Sequence, residues 1–173
     1  EVVNQVLGAQ FTSRLSTKFE DWIEVSSRDK TCGWVFPCDL WVAPDGAVHL
    51  LWSERAIDDR LRAKFFPDAR QRISLEHAVL REGKVISRGP ILELLEGKPG
   101  ETPGNGRFHA TEDGRLFVVF YVSGSDASGR ATTENRLVEI LPDGALSAPA
   151  RIPLKAPFTS FYTATPRAGS RPS

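Results

Sequence analysis

Arg107 and His109 stand two residues apart, and Asp39 and Trp41 hold the matching positions of an earlier, similar stretch. In an extended chain, residues i and i+2 point to one side, so each pair shares a face. Together these residue types suit a polar, anionic sugar. An arginine grips a carboxylate or sulfate through two N–H groups, an indole stacks on a pyranose face, and a histidine moves a proton near neutrality. The competing reading of His109 is a hydrogen-bonded side chain inside a strand. His49 falls in an apolar stretch and reads as a packed, satisfied histidine, and His77 is expected to have no role.

Such residues need a scaffold, and internal repetition supplies one. Ala43–Trp52 lines up with Thr111–Phe120, with Asp45-Gly46 on Asp113-Gly114. Asp-Gly is a strong two-residue hairpin signal, because glycine accepts positive φ without steric cost. Alternating residues precede each pair (Asp39–Val42, Phe108–Ala110) and a nearly continuous apolar run follows, as expected of a second strand buried on both faces. Ser74–Leu80 then matches Asn135–Leu141, each followed by a Gly turn and a further strand, so His77 aligns with Val138. Each unit thus has four strands. The first hairpins repeat at 68 residues and the second at 61, which places the length difference in the connection after the second strand.

A third copy begins at Phe161–Thr165, where Phe161 matches Asp39 and Arg107, and Thr163 matches Trp41 and His109. At the front, Phe19–Ser26 reads as an outer strand of a preceding unit. Helical spacing occurs at Ile57–Phe66, and Pro67 ends it. The expected fold is therefore all-β: a β-propeller with four-stranded antiparallel blades, of which about two and a half are present. The divisions are a part-blade at 1–34, blades at 35–100 and 101–156, and a part-blade at 157–173. Such an open stack would expose an apolar blade face, so self-association or the remainder of a longer chain is expected to complete it.

Over roughly Val35–Ser170 the blade pattern resembles the sialidase-like and BNR-type propellers, which act on or bind carbohydrate. Their Asp-box (Ser-x-Asp-x-Gly-x-Thr-Trp) is not matched, since Asp45-Gly46 and Asp113-Gly114 are directly joined, and no sialidase arginine triad carries over. Propeller polysaccharide lyases combine His, Tyr and Arg. That resemblance implies Arg107 neutralising a uronate carboxylate, with His109 or Tyr121 abstracting or donating the proton. The catalytic candidates are then His109, Arg107 and Tyr121, and the substrate-binding candidates Trp41, Asp39, Arg167 and Tyr162. The expected function is a carbohydrate-directed propeller, a polysaccharide lyase or glycoside hydrolase acting on an anionic polysaccharide. The alternative is a non-catalytic propeller that binds a protein or glycan through its loops.

Other classes fit less well. Twenty-two basic residues balance twenty-two acidic ones, which gives no drive toward nucleic acid or an anionic membrane. The apolar run Leu116–Val122 is far too short to span a bilayer. Gly104 and Gly106 lack the Lys and the strand-to-helix setting of a phosphate loop. Ser123-Gly124-Ser125 is no nucleophile elbow, and no carboxylate pair is gathered by the repeat. No cofactor and no metal ion is expected. Cys32 and Cys38 read either as a small disulfide loop of an exported protein, extracellular or periplasmic, or as two buried thiols. The chain has no Met and no visible signal peptide, which suggests that its natural start was removed or never lay at Glu1. The charged connection Glu54–Arg72 is expected to be solvated, with internal ion pairs, and docked by Phe65-Phe66-Pro67.

Overall fold

A computed structural model describes residues 6–8, 22–125 and 128–159. β1 (Val6–Gly8) pairs antiparallel with β2 (Ile23–Ser26). β3 (Cys32–Val42), β4 (Val48–Ile57), β5 (Arg72–Arg81) and β6 (Lys84–Leu95) form an antiparallel four-stranded meander. β7 (Glu101–Ala110), β8 (Leu116–Ser125), β9 (Ala131–Ile140) and β10 (Ala150–Ile152) form a second one. One helix, α1 (Asp59–Phe65), lies in the β4–β5 connection. The fold is all-β, as expected.

The turns differ in kind from the expectation. At Asp45-Gly46 and Asp113-Gly114 only the glycine has positive φ, 83° and 84°. Ala43 N–H bonds to the Ala47 carbonyl and Thr111 N–H to the Arg115 carbonyl, which encloses three turn residues rather than two. The turn is thus a type I turn closed by a left-handed glycine. The two-residue turn is Glu82-Gly83, where both residues have positive φ and Arg81 pairs with Lys84. Leu141–Ala145 repeats the longer form.

That difference shifts the repeat by one residue. Val48 pairs with Leu80, and its counterpart Leu116 pairs with Ile140, so His77 corresponds to Leu137 rather than Val138. Aligning glycine on glycine slipped the third strand by one position, and a one-residue slip exchanges its two faces. The difference in length does lie after the second strand. Paired residues flanking it are 18 apart in the first sheet (Arg55, Ile73) and 10 apart in the second (Ser123, Thr133).

The two sheets stack front to back. On the front of the first sheet Val48, Leu50, Trp52, Ala78 and Leu80 cluster with Val25 of β2. Their register counterparts Leu116, Val118, Phe120, Val138 and Ile140 face the back of the first sheet, against Cys38, Leu51, Leu75 and Ile91. β7 touches all four strands of the first sheet. Gly106 permits this approach, since a Cβ there would lie 3.1 Å from the Val119 carbonyl oxygen and 3.2 Å from methyls of Leu51 and Leu75. Trp52 and Phe120 are fully buried, each contributing roughly 2–3 kcal/mol by leaving water.

Glu54 belongs to β4 and Arg72 to β5, so the connection itself is shorter and less charged than expected. It is docked. Arg62 holds Glu96 through two bonds of 2.7 Å, and Gln71 bonds both the N–H and the carbonyl of Ile57. Cys32 and Cys38 are free thiols on one extended strand, roughly 20 Å apart at a strand's rise, so no disulfide forms between them.

Candidate functional site

Four groupings of polar and aromatic side chains stand out. The first contains the sequence candidates. Arg107 lies opposite Val119 and His109 opposite Phe117, while Phe108 between them points into the inter-sheet core. Tyr121 is two residues beyond Val119 on β8, so Arg107, His109 and Tyr121 share the back face of the second sheet. Asn135 on the same face grips a later segment: its amide donates to the Phe158 carbonyl at 3.0 Å and accepts from the Phe158 N–H at 2.7 Å.

Asp39 and Trp41 occupy the equivalent back face of the first sheet, which the second sheet covers. The Asp39 carboxylate accepts the Phe108 N–H at 2.9 Å, a bond that ties strand β3 to β7. Burial raises its pKa despite that bond, the Leu40 N–H and the nearby Arg107. Trp41 packs on the His49 ring at 5.1 Å. The two sets therefore sit on the backs of different sheets. Arg167 and Tyr162, with Phe161 and Thr163, lie outside the described residues.

The second grouping was missed. His49 Nδ1 and His77 Nε2 form a 3.0 Å hydrogen bond, with the rings stacked at 5.2 Å and Phe108 edge-on to both. Burial is the main reason that His49 is held down to about 4, with Asp45 pulling weakly upward. Burial and the facing His49 hold His77 at about 3. Both rings are therefore neutral at pH 7, one donating and the other accepting. His77 also lines a cleft of about 160 Å³ with Ser87, Gly89, Ile91, Gly144 and Leu146. The signal available was the glycine turn chemistry, which sets the register that brings His77 opposite Leu51.

A buried ion cluster fills the front of the first sheet. Glu54, with no exposed side-chain surface, accepts from Ser26, Arg28, Trp52 (2.6 Å) and Arg88 (2.8 Å). Burial would raise its pKa, but these bonds outweigh it and hold the carboxyl below the usual range. Arg72 bridges Glu76 (2.6 Å) and Glu93 (2.7 Å). This arrangement locks β2 to the sheet and leaves no free carboxylate for chemistry.

The fourth grouping is exposed. Trp34 and Phe36 lie on β3 and Arg55 on β4, at the end of the sheet that also carries the β4–β5 connection and α1. Burial raises the Cys38 thiol, which contacts Ser53 and Asn105, so it is not a ready nucleophile. Among the described residues no three His, Cys, Asp or Glu side chains gather as a metal site, and no helix is long and apolar enough to cross a membrane.

No protein-family model, no curated protein and no solved structure matches the chain.

Proposed function

We propose that the chain forms consecutive blades of a β-propeller that is carbohydrate-directed and binds glycan at the end carrying the β4–β5 and β6–β7 connections. The observation that supports the architecture is the front-to-back stacking of two units in the same orientation. A two-sheet sandwich buries one face of each sheet and leaves the other polar. Here the first sheet buries both faces. The second offers Phe117, Val119 and Leu137 on its back, where a further unit would pack as the second packs on the first. In a ring so built, β3 and β7 are innermost strands, and the remaining blades come from further chain or further copies.

The test of the carbohydrate reading is electrophoresis through gels cast with polygalacturonate, alginate or neutral galactan. Retardation by at least one is expected, and unchanged mobility in all three rejects the reading. A lyase or hydrolase is the second reading, favoured by the shared face of Arg107, His109 and Tyr121, and it requires that face to stay open instead of being covered by a further unit. It requires a uronate polymer to gain ultraviolet absorbance or reducing ends with the protein, and His109→Ala to abolish that gain.

A further inference from the structure

The cleft at His77 lies between the two units. One wall is β6, through Ser87, Gly89, Pro90 and Ile91, and the other is the turn after β9, through Gly144 and Leu146. His77 is its floor. The residue is only 8% exposed, and Gly89 stands directly across the strand pair from it, on the same face. Its Nε2 is engaged by His49 Nδ1. Among the described residues its Nδ1 has no hydrogen-bond partner, yet it is not a buried unsatisfied atom, so this nitrogen reaches into the cleft. Ser87, two residues along β6 from Gly89, shares the face, and among the described residues its hydroxyl has no partner either.

Size, charge and hydrogen bonding narrow what the cleft can hold. Its volume is about 160 Å³, and a cavity of about 150 Å³ takes one benzene-sized ring. Pro90, Ile91 and Leu146 make the walls apolar. No cation faces an occupant: both imidazoles are neutral at pH 7, and the Arg88 guanidinium turns to the opposite face, onto Ser26 and Glu54. An anion would therefore be desolvated without a counter-charge. The Asp45 carboxylate acts on His49 and favours the tautomer whose proton sits on the outer Nε2. His49 Nδ1 then accepts from His77 Nε2–H, which leaves His77 Nδ1 as an acceptor. The floor thus calls for a neutral donor carried on a flat ring. A phenol donates to Nδ1 and accepts from the Ser87 hydroxyl, extending one chain of hydrogen bonds through both histidines. An indole N–H donates but has no lone pair for Ser87.

We propose that this cleft between the units binds a phenolic ring, with the ring among Pro90, Ile91 and Leu146 and its hydroxyl between His77 Nδ1 and Ser87. The site stands apart from the carbohydrate reading and does not depend on it.

The experiment is a ligand-observed NMR titration with phenol, its isostere toluene, benzoate and N-acetyltyrosinamide. Phenol binds the wild type with a Kd of about 1 mM, the range of so small a ligand. It binds about tenfold tighter than toluene, the scale of one well-made hydrogen bond, and it shifts the His77 ring nitrogen resonances. Benzoate does not bind. His77→Leu, the residue that the second unit carries as Leu137, removes the preference over toluene. Gly89→Val fills the cleft, since a Cβ there meets no atom within 4 Å, and abolishes binding of phenol and toluene while the urea midpoint stays at the wild-type value. It leaves the histidine pair intact and so decides the matter if His77→Leu fails to fold. N-acetyltyrosinamide binding as tightly as phenol assigns the ring to a tyrosine side chain, and its exclusion assigns it to a free phenol; either upholds the site. Equal affinity for phenol and toluene overturns it. So does benzoate binding as tightly as phenol, unchanged binding in Gly89→Val, or no phenol bound at tenfold the expected Kd.

Discussion

The pair His49–His77 makes stability depend on pH in a window where few other groups titrate. Unfolded histidine has a pKa near 6.5, and the folded values are about 4 and about 3. A depressed histidine pKa means that the unfolded chain takes up protons first. The stability is fully present above pH 6.5 and is lost as pH falls toward the folded values. Between pH 8 and pH 5 each ring accounts for about 2 kcal/mol, so the pair accounts for about 4 kcal/mol, or a fall in Tm of about 10 °C. The depressed carboxylates, Glu54 among them, lose their contribution only below the ordinary glutamate range, so they leave this window clear. Urea unfolding followed by tryptophan fluorescence across pH 8 to 5 measures the slope. The control is His49→Phe with His77→Leu, because Phe117 and Leu137 stand at those positions in the second unit. The double variant should lose the fall in stability toward pH 5 and keep at most a small slope of opposite sign from Asp39, whose carboxyl pKa burial raises. A flat wild-type profile, or a double variant with the wild-type slope, would refute the buried neutral pair.

Gly33→Ala should destabilise the protein by about 3 kcal/mol, because a Cβ there would lie 2.3 Å from the backbone oxygen of Arg55 and 2.5 Å from that of Ala56. Thermal unfolding checks it, and a wild-type Tm would show that β3 and β4 can separate at no cost. Glu54→Gln leaves Arg28 and Arg88 facing each other without the central carboxylate and should cost about 3 kcal/mol. Loss of less than about 0.5 kcal/mol in urea denaturation would mean that the cluster is solvated, as surface pairs are.

Particular residues show how far the sequence could be read. The four-strand unit, the order of its hairpins and the site of the length change were legible because Asp-Gly turns and doubly apolar strands are local signals. Helix α1 was legible from spacing and Pro67. The register of the third strand was not, because Glu82-Gly83 and Asp143-Gly144 look alike while one encloses two turn residues and the other three. His77 was consequently placed on the wrong face, and its partnership with His49 stayed hidden. Glu54 looked like the start of a solvated loop, because nothing local reveals that Ser26, Arg28 and Arg88 converge on it from 28, 26 and 34 residues away.

Alternation along a strand states which residues share a face, and that much the sequence determined for Arg107 with His109 and for Asp39 with Trp41. Which faces meet was decided only by the tertiary structure. The second sheet lays its front on the back of the first, so Asp39 and Trp41 become an inter-sheet clasp, while Arg107, His109 and Tyr121 remain on the next back face. The physical reason is that strand periodicity is a property of neighbouring residues, whereas stacking depends on apolar area and charge summed over whole sheets. Val118 and Leu51 belong to one core only because that sum is lowest when unlike faces of like units are in contact.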